Sequence, residues 1–125
     1  MPDVSGHGVG FAEVKPFDLQ VNGYAGVDFC STNLTAEQLH TACQALSDDG
    51  VDSILATVIT DDVNNLAAKL ANMARLREED ELVRRMIVGF HVEGPFLNGA
   101  PGFIGAHEPK YVRPANLKDA EGLLE

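Results

Sequence analysis

From Phe17 onward the apolar positions of the chain switch between two periods, short runs of strand type and stripes that recur every three or four residues. Phe17 to Asn22 reads as a short strand. Thr35 opens a helix, with Gln38 three residues on completing a capping box. Leu39, Ala42, Cys43 and Leu46 then repeat at helical spacing until Gly50 stops the helix. Ser53 to Ile59 is apolar and rich in β-branched residues, which predicts a strand buried on both faces. Asp61 and Asp62 suit the positive end of the next helix, whose apolar stripe is Val63, Leu66, Ala67, Leu70 and Ala74. Met86 to Glu93 is the third strand. The pattern thus predicts strands near 17–22, 53–60 and 86–93 and helices near 35–49 and 61–78. Leu117 to Glu125 reads as a helix cut off in mid-course.

Strand and helix in alternation imply right-handed βαβ crossovers and a parallel sheet, so the fold class is α/β. Residues 1–16 stand apart. Gly6, Gly8 and Gly10 sit among small residues without periodicity, and no strand precedes them, so they are no dinucleotide fingerprint. They read as a flexible leader ahead of a domain at 17–125.

The run Gly89-Phe90-His91-Val92-Glu93-Gly94-Pro95-Phe96-Leu97 carries the most chemical information, together with Gly105-Ala106-His107 downstream. In parallel α/β folds, reactions are built at the carboxyl ends of strands and in the loops that follow. Side chains alternate along a strand, so Gly89, His91 and Glu93 share one face, and Phe90 and Val92 the other. Glu93, nearest the carboxyl end, suits a divalent metal through its carboxylate; a surface or salt-bridged glutamate is the alternative. His91 lies deeper and reads as a hydrogen-bonded interior histidine. The zinc deaminase signature also opens with His-x-Glu, but it needs a Pro-Cys-x-x-Cys downstream, and Cys30 and Cys43 both lie upstream. Gln20 and Asn22 share a face of the first strand. Asn98 to Gly105 reads as a flexible loop. Cys30 has no nearby base in the sequence, so a thiol nucleophile is unsupported.

Asp18-Leu19-Gln20-Val21-Asn22-Gly23 with Gly26-Val27-Asp28-Phe29 resembles the first barrel strand of N-acetylglucosamine-6-phosphate deacetylases, of the amidohydrolase superfamily. Ala56-Thr57-Val58-Ile59-Thr60 fits the same family. His91-Val92-Glu93-Gly94-Pro95-Phe96-Leu97 and Gly105-Ala106-His107 resemble its third-strand metal motif and substrate loop. The resemblance implies a partial (β/α)8 TIM-type barrel of about three parallel strand–helix units. It assigns a divalent metal ion, zinc first, to Glu93. It assigns the bound amino sugar to the Ala106 backbone and the His107 ring. Gln20-Val21-Asn22 stands where many amidohydrolases carry His-x-His, so two amides replace imidazoles there and support the site. The implied reaction hydrolyses the N-acetyl group of N-acetylglucosamine 6-phosphate to glucosamine 6-phosphate and acetate. The implied partners are a small-molecule amino-sugar phosphate and, for the full-length protein, further copies of itself. The catalytic aspartate and the metal-binding histidines come from later strands and are expected beyond residue 125, so the chain alone is expected to be inactive. A non-catalytic α/β binding module, or the remnant of a gene, is the competing reading.

Length and charge narrow this further. The 125 residues suit one domain. A whole (β/α)8 barrel needs about 250 residues, so the chain reads as a piece of a longer protein. The formal charge of −10 argues against nucleic acid or an anionic membrane as partner, since both reward basic clusters. Lys110 and Arg113 could attract a phosphate, although solvation is their simpler role. Two cysteines in no framework fit reduced thiols in a cytoplasmic protein. No apolar run approaches the roughly 18 residues of a membrane span, and no secretory signal opens the chain.

Overall fold

The computed structural model describes residues 15–124; residues 1–14, most of the predicted leader, and Glu125 lie outside them. Three strands form one parallel sheet in the order β1–β4–β5, where β1 is Phe17–Val21, β4 is Ser53–Ile59 and β5 is Ile87–Glu93. Between β1 and β4 run a small antiparallel hairpin, β2 (Gly23–Tyr24) and β3 (Val27–Asp28), and helix α1 (Ala36–Asp48). Helices α2 (Val63–Glu79) and α3 (Glu81–Met86) connect β4 to β5. A 3-10 turn at Pro109–Tyr111 and helix α4 (Leu117–Leu124) complete the described chain.

Local chemistry explains the element ends. Thr35 accepts from the Gln38 backbone N–H at 3.2 Å, and the Gln38 side chain accepts from the Thr35 N–H at 3.0 Å, so the capping box forms in full. Gly50, with φ at +88°, ends α1 in the left-handed region that glycine reaches without strain. Asp62 caps α2 by accepting from the backbone N–H groups of Asn64 and Asn65. Asp61, predicted to serve the same helix end, instead receives the Lys69 ammonium at 2.6 Å.

One face of the sheet makes the core. Ile54, Ala56 and Val58 of β4 are fully buried in a cluster with Leu39, Leu46, Leu66 and Met73 of the helices. Phe90 and Val92 of β5 pack against the same cluster, as their alternation predicts. The expectation that β4 is buried on both faces holds on this face and only in part on the other. The second face carries half-buried Leu55, fully buried Thr57 and, at the carboxyl end, Ile59, which is 37% exposed. The sheet is open: among the described residues three strands pair in a row and do not close on themselves.

Candidate functional site at the carboxyl ends of the strands

Glu93 is the last residue of β5 and pairs in register with Ile59, the last residue of β4. Its side chain lies on the open face. Gln20, from β1, reaches the same point. Strands β1 and β5 are not neighbours, so the pair must span β4, a distance of about 10 Å between backbones. Two long side chains close that gap, and the Gln20 amide Nε2 donates to Glu93 Oε2 at 2.9 Å. The other oxygen faces the loop: His107 Nε2 lies 3.5 Å from Glu93 Oε1. The loop that delivers His107 is built of successive turns, with Phe103 and Ile104 donating to the Ala100 carbonyl and His107 to that of Ile104. His107 Nδ1 is buried and has no hydrogen-bond partner among the described residues.

Glu93, Ala106, His107 and Asn22 line one open cavity of about 350 Å³ together with Asp28 and Cys30. The sequence-predicted site residues Gln20, Asn22, Glu93, Ala106 and His107 therefore gather at one end of the sheet. His91, one pleat below Glu93, is half-buried with Nδ1 3.3 Å from the hydroxyl of buried Thr57. Lys110 and Arg113 do not reach this cavity. They line another of about 440 Å³ beside Asp61 and Asp62. Lys110 sits over the Tyr111 ring at 4.8 Å and Arg113 pairs with Asp119 at 2.8 Å.

Sequence reasoning did not place Cys30 or Asp28 here. Asp28 ends β3, and its carboxylate accepts from the Cys30 N–H at 2.8 Å, which turns the thiol into the cavity wall. Only the hairpin brings them close, and its Ala25-Gly26 turn lacks the usual Asn-Gly signature. Burial raises the Cys30 thiol above its ordinary value; a backbone hydrogen bond at Ile59 opposes this and the Asp28 charge adds to it. The net rise keeps the group protonated near neutral pH, a poor nucleophile.

The donors present do not by themselves make a metal site. Among the described residues no three His, Cys, Asp or Glu side chains converge as ligands of an ion. Glu93 and His107 offer one carboxylate and one imidazole, and zinc sites take three or four protein ligands. The Gln20 and Asn22 amides are weak zinc donors beside histidine.

Fold and site together define a parallel α/β segment that presents a carboxylate, an amide and an imidazole at its strand ends. Comparison with known proteins gives that class particular relatives. The chain is 29% identical over 103 residues to the N-acetylglucosamine-6-phosphate deacetylase of Bacillus subtilis, which covers 81% of this chain. It is 36% identical over 107 residues to the N-acetylgalactosamine-6-phosphate deacetylase of a Shewanella species, covering 86% of this chain. It spans about a quarter (25%) of the length of each of these curated relatives. Among solved structures, N-acetyl-D-glucosamine-6-phosphate deacetylase from Mycobacterium smegmatis, a D267A mutant in complex with N-acetyl-D-glucosamine-6-phosphate, superimposes with a TM-score of 0.70. That match is 24% identical and covers 88% of this chain and 26% of the other, so it speaks for the fold. No protein-family model matches the chain. The resemblance to N-acetylglucosamine-6-phosphate deacetylases is thus shown, over a fragment of their length.

Proposed function

We propose that this chain supplies the carboxylate and part of the sugar-binding surface of a metal-dependent deacetylase acting on an N-acetylated amino-sugar 6-phosphate. The observation that carries the reading is the carboxylate of Glu93, held between the Gln20 amide and the His107 ring beside Ala106. In the complete site, reached by closing the open sheet into a barrel, a divalent metal, zinc first, would take Glu93 as one ligand among several. When bound, such an ion activates water and polarises an amide carbonyl. The residues of this chain bind and orient. Ala106 offers its backbone and His107 its ring to the acetylated sugar. The buried, unpartnered Nδ1 of His107 favours a polar partner there, since an unpaired buried group costs about 1–3 kcal/mol. The remaining ligands and the proton-transferring aspartate belong to strands outside this chain, so the chain alone turns over no substrate.

The test is titration of the 15N-labelled chain with N-acetylglucosamine 6-phosphate, with glucosamine 6-phosphate and inorganic phosphate as controls. Backbone signals of Ala106 and His107 are expected to move with the acetylated sugar and not with phosphate. His107→Ala is expected to weaken binding by about tenfold, the worth of one hydrogen bond of about 1.4 kcal/mol. Signals unmoved by the sugar, or moved equally by phosphate alone, would remove the substrate reading and leave the non-catalytic α/β module. Acetate release at a catalytic rate would remove the claim that the chain is catalytically incomplete.

A further inference from the structure

Beyond the strand ends, one buried hydroxyl stands in an unusual place. Thr60 follows β4 directly and is 6% exposed. Its Oγ1 donates to the carbonyl of Glu93 at 3.3 Å. The paired register of β4 and β5 ends here, with Ile59 opposite Glu93. The hydroxyl occupies the space above Gly94, where a Cβ would lie 1.9 Å from Oγ1. On the far side of the turn, the buried Pro95 has its carbonyl held by the N–H groups of Leu97 and Arg113, each at 3.0 Å. The backbone from Glu93 to Pro95 is therefore held on both sides, with the Thr60 hydroxyl at the Glu93 carbonyl and two N–H groups at that of Pro95.

We propose that Thr60 is a positioning residue for Glu93: its hydroxyl sets the rotation of the Glu93 peptide and so aims the carboxylate at Gln20 and His107. This rests on the proposed role of Glu93 for its functional meaning, but its geometry is testable without that role. Glu93 reaches Gln20 across an intervening strand. A small rotation of the Glu93 backbone is multiplied at the carboxylate, so the contact with Gln20 is the sensitive reporter.

The experiment compares Thr60→Val, which keeps the shape and removes the hydroxyl, with Thr60→Ser, which keeps the hydroxyl. The readout is the Gln20 side-chain amide in 15N spectra of the whole chain, with thermal unfolding measured in parallel. In the unsubstituted chain this NH2 pair is expected to show a displaced shift and slowed solvent exchange, and Glu93→Ala identifies the unbonded position. Thr60→Val is expected to move the pair to that unbonded position, and Thr60→Ser to leave it bonded. A bonded Gln20 signal in folded Thr60→Val would overturn the proposal, whatever the change in melting. If Thr60→Val does not fold, Thr60→Ala against Thr60→Ser makes the same comparison. Should the sugar titration above fail while Gln20 still follows the Thr60 hydroxyl, the positioning stands and the substrate reading falls.

Discussion

Gly94 has φ at +92°, and a Cβ there would lie 1.9 Å from Thr60 Oγ1 and 3.2 Å from Leu97 Cδ1. Backbone and space both demand glycine. Gly94→Ala is expected to lose at least about 1–2 kcal/mol from the left-handed backbone alone. Displacement of the Thr60 hydroxyl adds to that, and chemical denaturation measures the sum. A Gly94→Ala chain as stable as the original would mean that the turn relaxes freely and that the Thr60 contact constrains nothing. Gly102 shows the contrast: its φ is +89° but nothing lies within 4 Å of a Cβ, so Gly102→Ala meets only the backbone cost. At this scale the sequence was informative where one residue type implies one geometry. Glu93 before Gly94-Pro95, and His107 after a glycine-containing loop, were legible as a site. Thr60 was not, because a threonine after a β-branched run looks like one more strand residue. Its role comes from register, and register is a property of two strands.

Helix ends show the same division between local and distant causes. Thr35, Gly50 and Asp62 act within a few residues of themselves, so α1 and α2 were legible to within two residues. Helix α3 was missed. Its span Glu81–Met86 is too short to build an apolar stripe, and Met86 read as the start of β5. What makes α3 is Asp80, which ends α2 and caps α3 at once, accepting from Leu82 N at 2.9 Å and Val83 N at 3.2 Å. The other oxygen of Asp80 meets His40 Nδ1 of α1 at 2.6 Å, a contact no local pattern announces. Burial pushes the Asp80 carboxyl upward, but the His40 hydrogen bond and the Val83 and Leu82 N–H groups outweigh it, so the carboxyl is held below its ordinary 3.8. Asp61 behaves alike: burial raises it, and Lys69, the Asp62 N–H and Asn65 bring it below 3.8. A carboxyl depressed in the folded state stabilises above its unfolded value, and that contribution is lost as pH falls through the folded value. Stability is therefore expected to decline below about pH 4. Asp80→Asn keeps the cap but not the charge, so it should show a shallower acid decline than the original chain. Asp80→Ala should cost about 1 kcal/mol near neutral pH through the lost cap. Unfolding midpoints across that range measure both, and an acid limb unchanged by Asp80→Asn would assign the decline to other carboxyls.

For the whole molecule, the open sheet and the net charge pull in opposite directions. Among the described residues, the outer edges of β1 and β5 have no strand partner. Phe17 and Leu19 of β1 are 50% and 62% exposed, and Val88 of β5 is 49% exposed. Unpaired edges beside exposed apolar side chains favour pairing with another chain. In the proposed barrel, neighbouring strands would take those edges; in this chain, another copy is the available partner. The formal charge of −10 opposes that approach, because two such molecules repel. Salt screens the repulsion, with a Debye length of about 10 Å at 0.1 M and about 30 Å at 0.01 M, and leaves the apolar attraction in place. Association is therefore expected to grow with ionic strength, the reverse of an ion-paired interface. Sedimentation velocity over a range of protein concentrations, at low and at high salt, measures it. Leu19→Lys places a charge on the β1 edge away from the Glu93 cavity, so it should lower association and leave the Gln20 to Glu93 contact intact. A chain that stays monomeric at high salt and high concentration would show that its edges are already protected. Association that weakens with salt would show that charge pairs, and not the sheet edges, hold the copies together.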